Sequence, residues 1–518
     1  IMQPIDIGSS KQLFVDDRFI ATGNGVELAM NPPYQAPEPV VTVDAPWEDP
    51  SDTSFGIYSS VLGEDDGRVR LWYHVRRAKE DSELSLDQAY VGYAESTDGI
   101  HFDKPELNLI EESGSTANNV VIPSKLGGSS VWIDPHAPPE ERYKNQSKVY
   151  NPEVAMQFHM HSSPDGIHWK FFRRLQLPHR GGWDTQSIIF WDPAIGRYVL
   201  YTRRWVAKRH TTAEGNENYR TVRRLESDDL INWDNQQTVM WPDEEDLATY
   251  ETGAPLDPTA PEKPYGRTPM DYYGAAVIKY PDPDGVYVML ANANWYWFNR
   301  EPVVTTVRDD MDVVRTETQQ IYGPSRFDVR LSVSRDGVNF QRCGGRRPFL
   351  SPGPEGSFSS RMIWAMPHPV RMGDEIWIYY SGTNRDHDGL IDPAGKGLLS
   401  GIGRAIMRLD GFVSADAGYG GGEIVTPIVR FEGERLELNL DSGGGGAVRV
   451  ELQDAAGRPV SGYTERDASY ICGNSVRMPV RWGESEDVSS LSGKPIRIRF
   501  VMRDCKLYAF QFVDSPSS

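Results

Sequence analysis

Three aspartates, Asp52 in E-D-P-S-D-T-S-F-G, Asp184 in G-G-W-D-T-Q-S-I and Asp271 in P-M-D-Y-Y-G, each stand just ahead of a run rich in β-branched and aromatic residues. Carboxylates that converge on one cleft can protonate a leaving oxygen and, roughly 5 to 9 Å away, supply a base or nucleophile, which is the chemistry of glycosidic bond cleavage. Other groups recur at matching places: Glu48 and Asp49 ahead of Asp52; His74, Arg76 and Arg77 in H-V-R-R; Arg203, Arg204 and Trp205 in T-R-R-W; and Asn292, Asn294, Trp295 and Trp297 in N-A-N-W-Y-W. Asn118, Asn119 and Ser129 hold the second position, and Arg361 and His368 in S-R-M-I-W-A-M-P-H-P hold the fifth, followed by Asn384, Arg385, Asp386 and His387 in G-T-N-R-D-H-D-G. Indoles stack on sugar faces, while Asn, Arg and His read hydroxyls or anionic substituents. Singly, each aspartate has a plainer use as a strand-start cap that accepts backbone N–H bonds; three together favour chemistry.

Residues spread over more than two hundred positions meet only if the fold brings them together, and a repeated phrase shows how. S-T-D-G-I-H-F (96–102), S-P-D-G-I-H-W (163–169), S-D-D-L-I-N-W (227–233) and S-R-D-G-V-N-F (334–340) are four copies, with a weaker fifth, R-L-D-G-F, at 408–412. The spacing gives a unit of about 70 residues, with an insertion of about 40 in the third interval. Before each phrase come paired β-rich segments such as V-R-L-W-Y, R-Y-V-L-Y, V-Y-V-M-L and E-I-W-I-Y-Y, separated by Asp/Gly/Pro turns. Four antiparallel strands per unit, repeated radially, predict an all-β fold: a five-bladed β-propeller over 1–420. K-Q-L-F-V-D-D-R-F-I or V-E-L-A-M-N-P-P is expected to supply the outer strand that closes the last blade. The phrase itself reads as the turn between third and fourth strands, so Asp98, Asp165, Asp229 and Asp336 are expected to staple turns, not to catalyse. In such blades the starts of first strands and the ends of second strands share one face, where all the candidate groups above would gather.

From 421 to 518 strict alternation in E-L-E-L-N-L-D and A-V-R-V-E-L, with G-G-G-G between, predicts a C-terminal β-sandwich. Packing against the propeller is its simplest role, with carbohydrate binding as a second. The 518 residues carry a net charge of −20, which disfavours nucleic acid and anionic membranes as partners. No run of 18 apolar residues is present, so no membrane span is expected. Of three cysteines, Cys472 and Cys505 lie in one segment and are the candidate pair. No ligand spacing demands a metal, and no cofactor is expected. The chain begins at Ile1 with no basic-then-apolar signal, which fits a periplasmic or secreted protein whose leader has been removed.

The five units, the S-x-D-G-I-H-W phrase, the inner-strand carboxylates, the trailing sandwich and the L-F-V-D-D opening resemble the five-bladed propeller glycosidases of glycoside hydrolase families 32 and 43, especially bacterial homologues of the family 32 N-terminal domain. The likeness spans about residues 10 to 515. It implies an Asp on the first blade as nucleophile or base, an Asp on the second as tuner and a Glu on the third as acid. Asp52 fits the first role; the second start has no carboxylate, and the third has Asp184 in place of Glu. Glu355, in G-P-E-G-S-F, and Glu153 are alternative acids. The W-M-N-D-P-N, R-D-P and E-C signatures are absent.

The expected activity is therefore glycoside hydrolysis of a poly- or oligosaccharide, neutral or anionic. Arg76, Arg77, Arg203, Arg204, Lys208 and Arg209 would bind sulfate or uronate groups, although solvated surface charge is the plainer reading. Two alternatives remain: a non-catalytic carbohydrate-binding propeller, and a polysaccharide lyase using His368, His387, Tyr272 or Tyr273 as base beside Arg361.

Overall fold

E-I-W-I-Y-Y shows in six residues how a blade is held. In the computed structural model, Ile376, Ile378 and Tyr380 enter the core shared with the fourth blade, while Trp377 and Tyr379 enter the core shared with the first. Successive strand side chains point to opposite faces, so a strand buried on both sides is apolar throughout. The structure describes residues 3–49, 55–76, 89–111, 114–122, 126–151, 155–178, 185–207, 218–243, 245–246, 270–280, 285–296, 303–308, 314–319, 325–387 and 391–515.

Five antiparallel sheets follow one another along the chain. Blade 1 comprises Ser60–Gly63, Val69–Arg76, Ala89–Ser96 and Val120–Ile122. Blade 2 comprises Leu126–Ile133, Tyr143–Asn151, Ala155–Ser163 and Lys170–Arg174. Blade 3 comprises Ile188–Asp192, Arg197–Ala207, Asn218–Ser227 and Asp234–Met240. Blade 4 comprises Met270–Tyr280, Val286–Tyr296, Ser325–Ser334 and Gln341–Arg342, with the hairpin Val303–Arg308 and Val314–Gln319 inserted between its second and third strands. Blade 5 comprises Met362–Ala365 with Val370–Met372, then Glu375–Thr383 and Ser400–Arg408. A separate apolar core fills each of the five gaps between neighbouring blades. The expected five-bladed propeller is the fold.

The repeated phrase is the turn between third and fourth strands, built alike in its four full copies. In the first, Ser96 Oγ accepts the N–H groups of Asp98 and Gly99, and Asp98 Oδ1 accepts those of Ile100 and His101. The His or Asn of the pattern closes on the second oxygen: His101 Nδ1 lies 2.7 Å from Asp98 Oδ2, and Asn339 Nδ2 donates to Asp336 Oδ2 at 2.7 Å. Each turn is also clasped by the preceding blade. Tyr379 Oη donates to Gly99 O, Trp72 Nε1 to Gly166 O, Arg173 Nη1 to Asp229 O and Tyr201 Oη to Gly337 O, all at 2.7 Å. Tyr280 Oη completes the circle by donating to Asp410 Oδ1 of the fifth copy at 2.8 Å. All five clasps run in one rotational sense.

Gly99, Gly166 and Gly337 have φ of 72°, 75° and 73°, and a Cβ there would lie 2.6 to 2.7 Å from the clasping ring. The third copy differs. Leu230 takes the same left-handed φ of 61°, and its own side chain fills the core between blades 2 and 3 where elsewhere a neighbour's ring approaches.

Closure of the ring corrects one expectation. The outer strand of blade 5 is Tyr34–Gln35 with Val41–Thr42, paired to Ser400–Arg408. The two segments expected there join the C-terminal sheet instead: Gln12–Leu13 pairs with Phe510 and Ala509, and Val26–Met30 with Val413–Ala417. The reason lies in L-F-V-D-D. Phe14 is fully buried against Phe500 and Phe510 in the C-terminal core, whereas Leu13 and Val15 point the other way, into the core between blades 4 and 5. Asp16 then makes a two-pronged ion pair with Arg335 in the turn of blade 4, at 2.8 Å for each contact.

The C-terminal sheet therefore draws on residues 5–30 and 413–431 as well as on the last hundred, and a boundary at 420 does not describe it. Its ten strands form one hydrogen-bonded network around one core, with Arg435–Asp454 and Ile496–Val513 paired along nearly their whole length on either side of a register break at Gly443–Gly446. Asp410 anchors this sheet to the ring through Lys11 Nζ and Asn439 Nδ2, both at 3.0 Å. All three cysteines are free, so Cys472 and Cys505 do not pair.

Candidate active site at the propeller axis

At one end of the axis a short loop of blade 1 is stapled to its second strand: Gly56 N donates to His74 O at 2.8 Å, and His74 N to Ser59 Oγ at 3.3 Å. This holds Tyr58 at a φ of 61° with its ring edge-on to that of His74. Opposite, D-Y-Y-G at the start of blade 4 contains a β-bulge between Tyr272 and Gly274. A bulge re-aims a side chain. Tyr272 keeps its place in the core between blades 3 and 4, and Tyr273 is turned towards Tyr58, with which its phenol is hydrogen-bonded. Gly274 is required here because a Cβ would lie 2.9 Å from Thr185 Oγ1, and Thr185 also hydrogen-bonds Tyr58.

Blade 3 adds two cations. The guanidinium of Arg203 lies 5.0 Å, and that of Arg220 4.5 Å, from the centre of the Tyr273 ring. Blade 5 adds His387, whose ring is 5.4 Å from that of Tyr273 and stacked on Phe327; Phe327 in turn packs on Trp364. Blade 2 is tied in by Gln186, whose Nε2 donates to Ser59 O at 2.8 Å and Ser129 O at 2.9 Å. Burial, then the neighbouring Tyr273, pushes the Tyr58 phenol well above the ordinary tyrosine value, so it is a proton donor across the neutral range.

The predicted residues have different fates. Asp52, Asp184 and Glu153 lie outside the described residues, as do Arg77, Lys208, Arg209 and Trp297 and the side chains of Arg76 and Trp205. Asp271 is at this mouth, buried, with Oδ2 3.1 Å from Arg220 Nη1 and 3.3 Å from Arg220 N. Asn294 stands directly opposite Asp271 across the strand pair, fully buried, with neither amide atom hydrogen-bonded; Asn292 Oδ1 is unpartnered as well. His74, Arg203 and His387 belong to the same mouth, and Arg204 follows Arg203 half-buried. Trp295 is half-buried against the core between blades 3 and 4, under Arg330 at 5.4 Å.

Five assignments are corrected. Glu48 is fully buried and saturated by Lys104 Nζ, Tyr73 Oη and the amides of Asp44 and Ala45, so it joins blade 1 to the closing segment and cannot take a ligand. Asn384 is consumed within its own loop by Gly397 O and Leu399 N. Asn118 and Asn119 precede the outer strand of blade 1, not the inner strand of blade 2, and Asn119 links Trp47, Tyr73 and the Tyr93 carbonyl. His368 sits at the break between Met362–Ala365 and Val370–Met372 with a φ of 64°, within the stack of inner strands, where burial lowers its pKa to about 4. Glu355 is half-exposed and clamped by Arg326 Nη2 at 2.6 Å and Arg361 Nη2 at 3.2 Å.

Tyr58, Thr185, Arg220 and Phe327 were not anticipated. Arg220 and Phe327 lie near the starts of third strands, which neighbour the ends of second strands and so share their face. The glycine after two tyrosines in D-Y-Y-G was the available sign of the bulge.

Among solved structures, the chain is similar to an N-acetylgalactosamine deacetylase from F. plautii in complex with blood group B trisaccharide, at 17% identity and a TM-score of 0.44 over 74% of this chain and 96% of that one. It is also similar to a β-1,2-mannobiose phosphorylase from Listeria innocua in complex with β-1,2-mannobiose (14%, 0.42, 73% and 96%) and to a family 32 β-fructofuranosidase from Bombyx mori (9%, 0.38, 93% and 95%). No family model and no curated protein matches the chain. At such distances only the chain's own residues speak for its chemistry.

Proposed function

We propose that the chain is a carbohydrate-active enzyme, a glycoside hydrolase that opens a glycosidic bond of a poly- or oligosaccharide at this axial mouth. The observation that supports it is the buried, unpartnered amide of Asn294 beside Asp271, in a mouth where Tyr58, Arg203, Tyr273 and His387 arrive from four blades. Buried polar groups are almost always paired, so an amide left unpaired beside a polar mouth is suited to read a hydroxyl or an N-acyl group once a ligand displaces its cover. Aromatic rings supply stacking surface, and Arg203 with Arg220 gives charge-assisted donors for a uronate or sulfate. Asp271 orients Arg220. Proton transfer to the leaving oxygen and attack at the anomeric carbon are assigned, from their place in the sequence ahead of inner strands, to Asp52 and Asp184.

A glycan-binding propeller without turnover is the second reading, favoured by the engagement of Asp271 with Arg220. The lyase reading is weakened at one of its bases, Tyr272, which burial pushes up to about 12 and which is tied to Asp246 and Arg342. Neutral and anionic glycans incubated with the enzyme separate the three. New reducing ends without unsaturated-uronate absorbance support hydrolysis, that absorbance supports elimination, and binding without products supports the second reading. Full turnover by Asp52→Ala would remove the role given to Asp52.

A further inference from the structure

We propose that the outer face of the C-terminal sheet carries a glycan-binding cleft of its own, lined by Tyr470 and adjoined by Tyr419. These side chains are 77% and 71% exposed, the two most exposed large hydrophobics among the described residues. Neither is a loose surface ring. The guanidinium of Arg449 lies 4.9 Å from the centre of the Tyr470 ring, and that of Arg503 5.9 Å from the centre of Tyr419, so each ring is backed on one side and presents the other to solvent.

Tyr470 lines a cleft of about 460 Å³ that is also lined, next to Tyr419, by Gly420 and Arg503; its floor crosses three strands, with Glu423, Val501 and Arg449 in one row of the register. The polar groups of that row are already held. Arg449 is paired with Glu465 at 2.5 Å and Glu423 with Arg499 at 2.6 Å, so their outward lone pairs and N–H groups are positioned before any ligand arrives. Tyr419 sits in A-G-Y-G-G-G, and a Cβ added at Gly445 would lie 3.6 Å from its ring, so the bare backbone of Gly445 leaves the ring uncrowded there.

Two flat aromatic faces flanking fixed hydrogen-bonding groups, with room for a short run of rings, match a saccharide, which offers apolar C–H faces and a rim of hydroxyls. Stacked nucleobases would use similar rings, but a chain of net charge −20 repels their phosphates. The cleft does not depend on turnover at the axis.

Affinity electrophoresis of the full chain through gels containing mannan, xylan, β-glucan, polygalacturonate or carrageenan tests the proposal. The expected result is retardation by at least one of these, weakened about tenfold in the double variant Tyr419→Ala, Tyr470→Ala and retained in Asn294→Ala. The neutral and anionic gels show which class the cleft takes. Both tyrosines are exposed, so the double variant should melt with the parent. Retardation unchanged in the double variant, retardation by single-stranded DNA only, or no retardation in any gel overturns the proposal. Turnover of short oligosaccharides, followed in parallel, reports on the axial mouth alone and should not change in the double variant.

Discussion

At the residue scale the clearest consequences are acid-sensitive. Asp229 and Asp336 are each desolvated, which opposes ionisation, yet the backbone and side-chain N–H groups of their own turns bring both pKa values from 3.8 down to about 2. A carboxyl with a folded pKa below its unfolded value adds stability above the unfolded value and loses it as pH falls through the folded one, so this contribution should vanish between about pH 4 and 2. His161 and His368 act earlier. Burial lowers each from 6.5 to about 4, the unfolded chain binds the extra protons, and stability should decline from about pH 6.5 to 4. Thermal melts across pH should show both windows, and His368→Asn, which tolerates the left-handed backbone, should flatten the upper one.

The two neighbours at the mouth should behave oppositely. Asn294→Ala removes an amide that bonds nothing, so the melting temperature should hold while turnover of short oligosaccharides at the axial mouth falls about tenfold. Asp271→Asn removes the negative charge of a buried ion pair with Arg220 and should cost about 3 kcal/mol in denaturant unfolding. The repeated aspartates were legible in the sequence because their partners lie within three residues. Glu48 and Asn384 were not, since a polar side chain in sequence looks the same whether distant atoms consume it or leave it open.

At the element scale, β grammar placed most blade strands correctly, because strands buried on both faces announce themselves as unbroken apolar runs. The bulge at Tyr273 and the outer strand of blade 1, preceded by a long connection, escaped because periodicity carries no record of a one-residue shift or of an element three residues long. The clasps belong to this scale too. Gly337→Ala would press a methyl group into the rings of Tyr201 and Tyr287 at a left-handed φ, and should destabilise by about 2 kcal/mol or more. The same exchange at Gly196, where φ is 64° but nothing lies within 4 Å, should cost only the conformational part, about 1 kcal/mol. A difference near zero between the two variants would deny the clasp its role.

At the scale of the whole molecule, the ring and the C-terminal sheet are joined through the chain's beginning. Asp16→Asn should weaken the two-pronged contact with Arg335 and lower stability by about 1 to 3 kcal/mol, measured by urea unfolding. Deleting residues 1–31 should do far more, since it exposes the core around Phe500 and Phe510; expression without a cooperative melt is the expected outcome. The count of blades was readable from the repeat alone. Which N-terminal piece goes to which sheet was not, because alternating segments such as V-E-L-A-M suit either edge, and the choice is made by residues hundreds of positions away.

The strand that completes blade 5 leaves the ribosome early, yet its partner, Ser400–Arg408, is translated hundreds of residues later. Until then, residues 34–42 wait without a mate, and the opposite edge of the nascent sheet stays bare for other polypeptides to join. Biogenesis, more than equilibrium, is thus the stage at which this architecture is most exposed to chaperone supply and to the rate of translation.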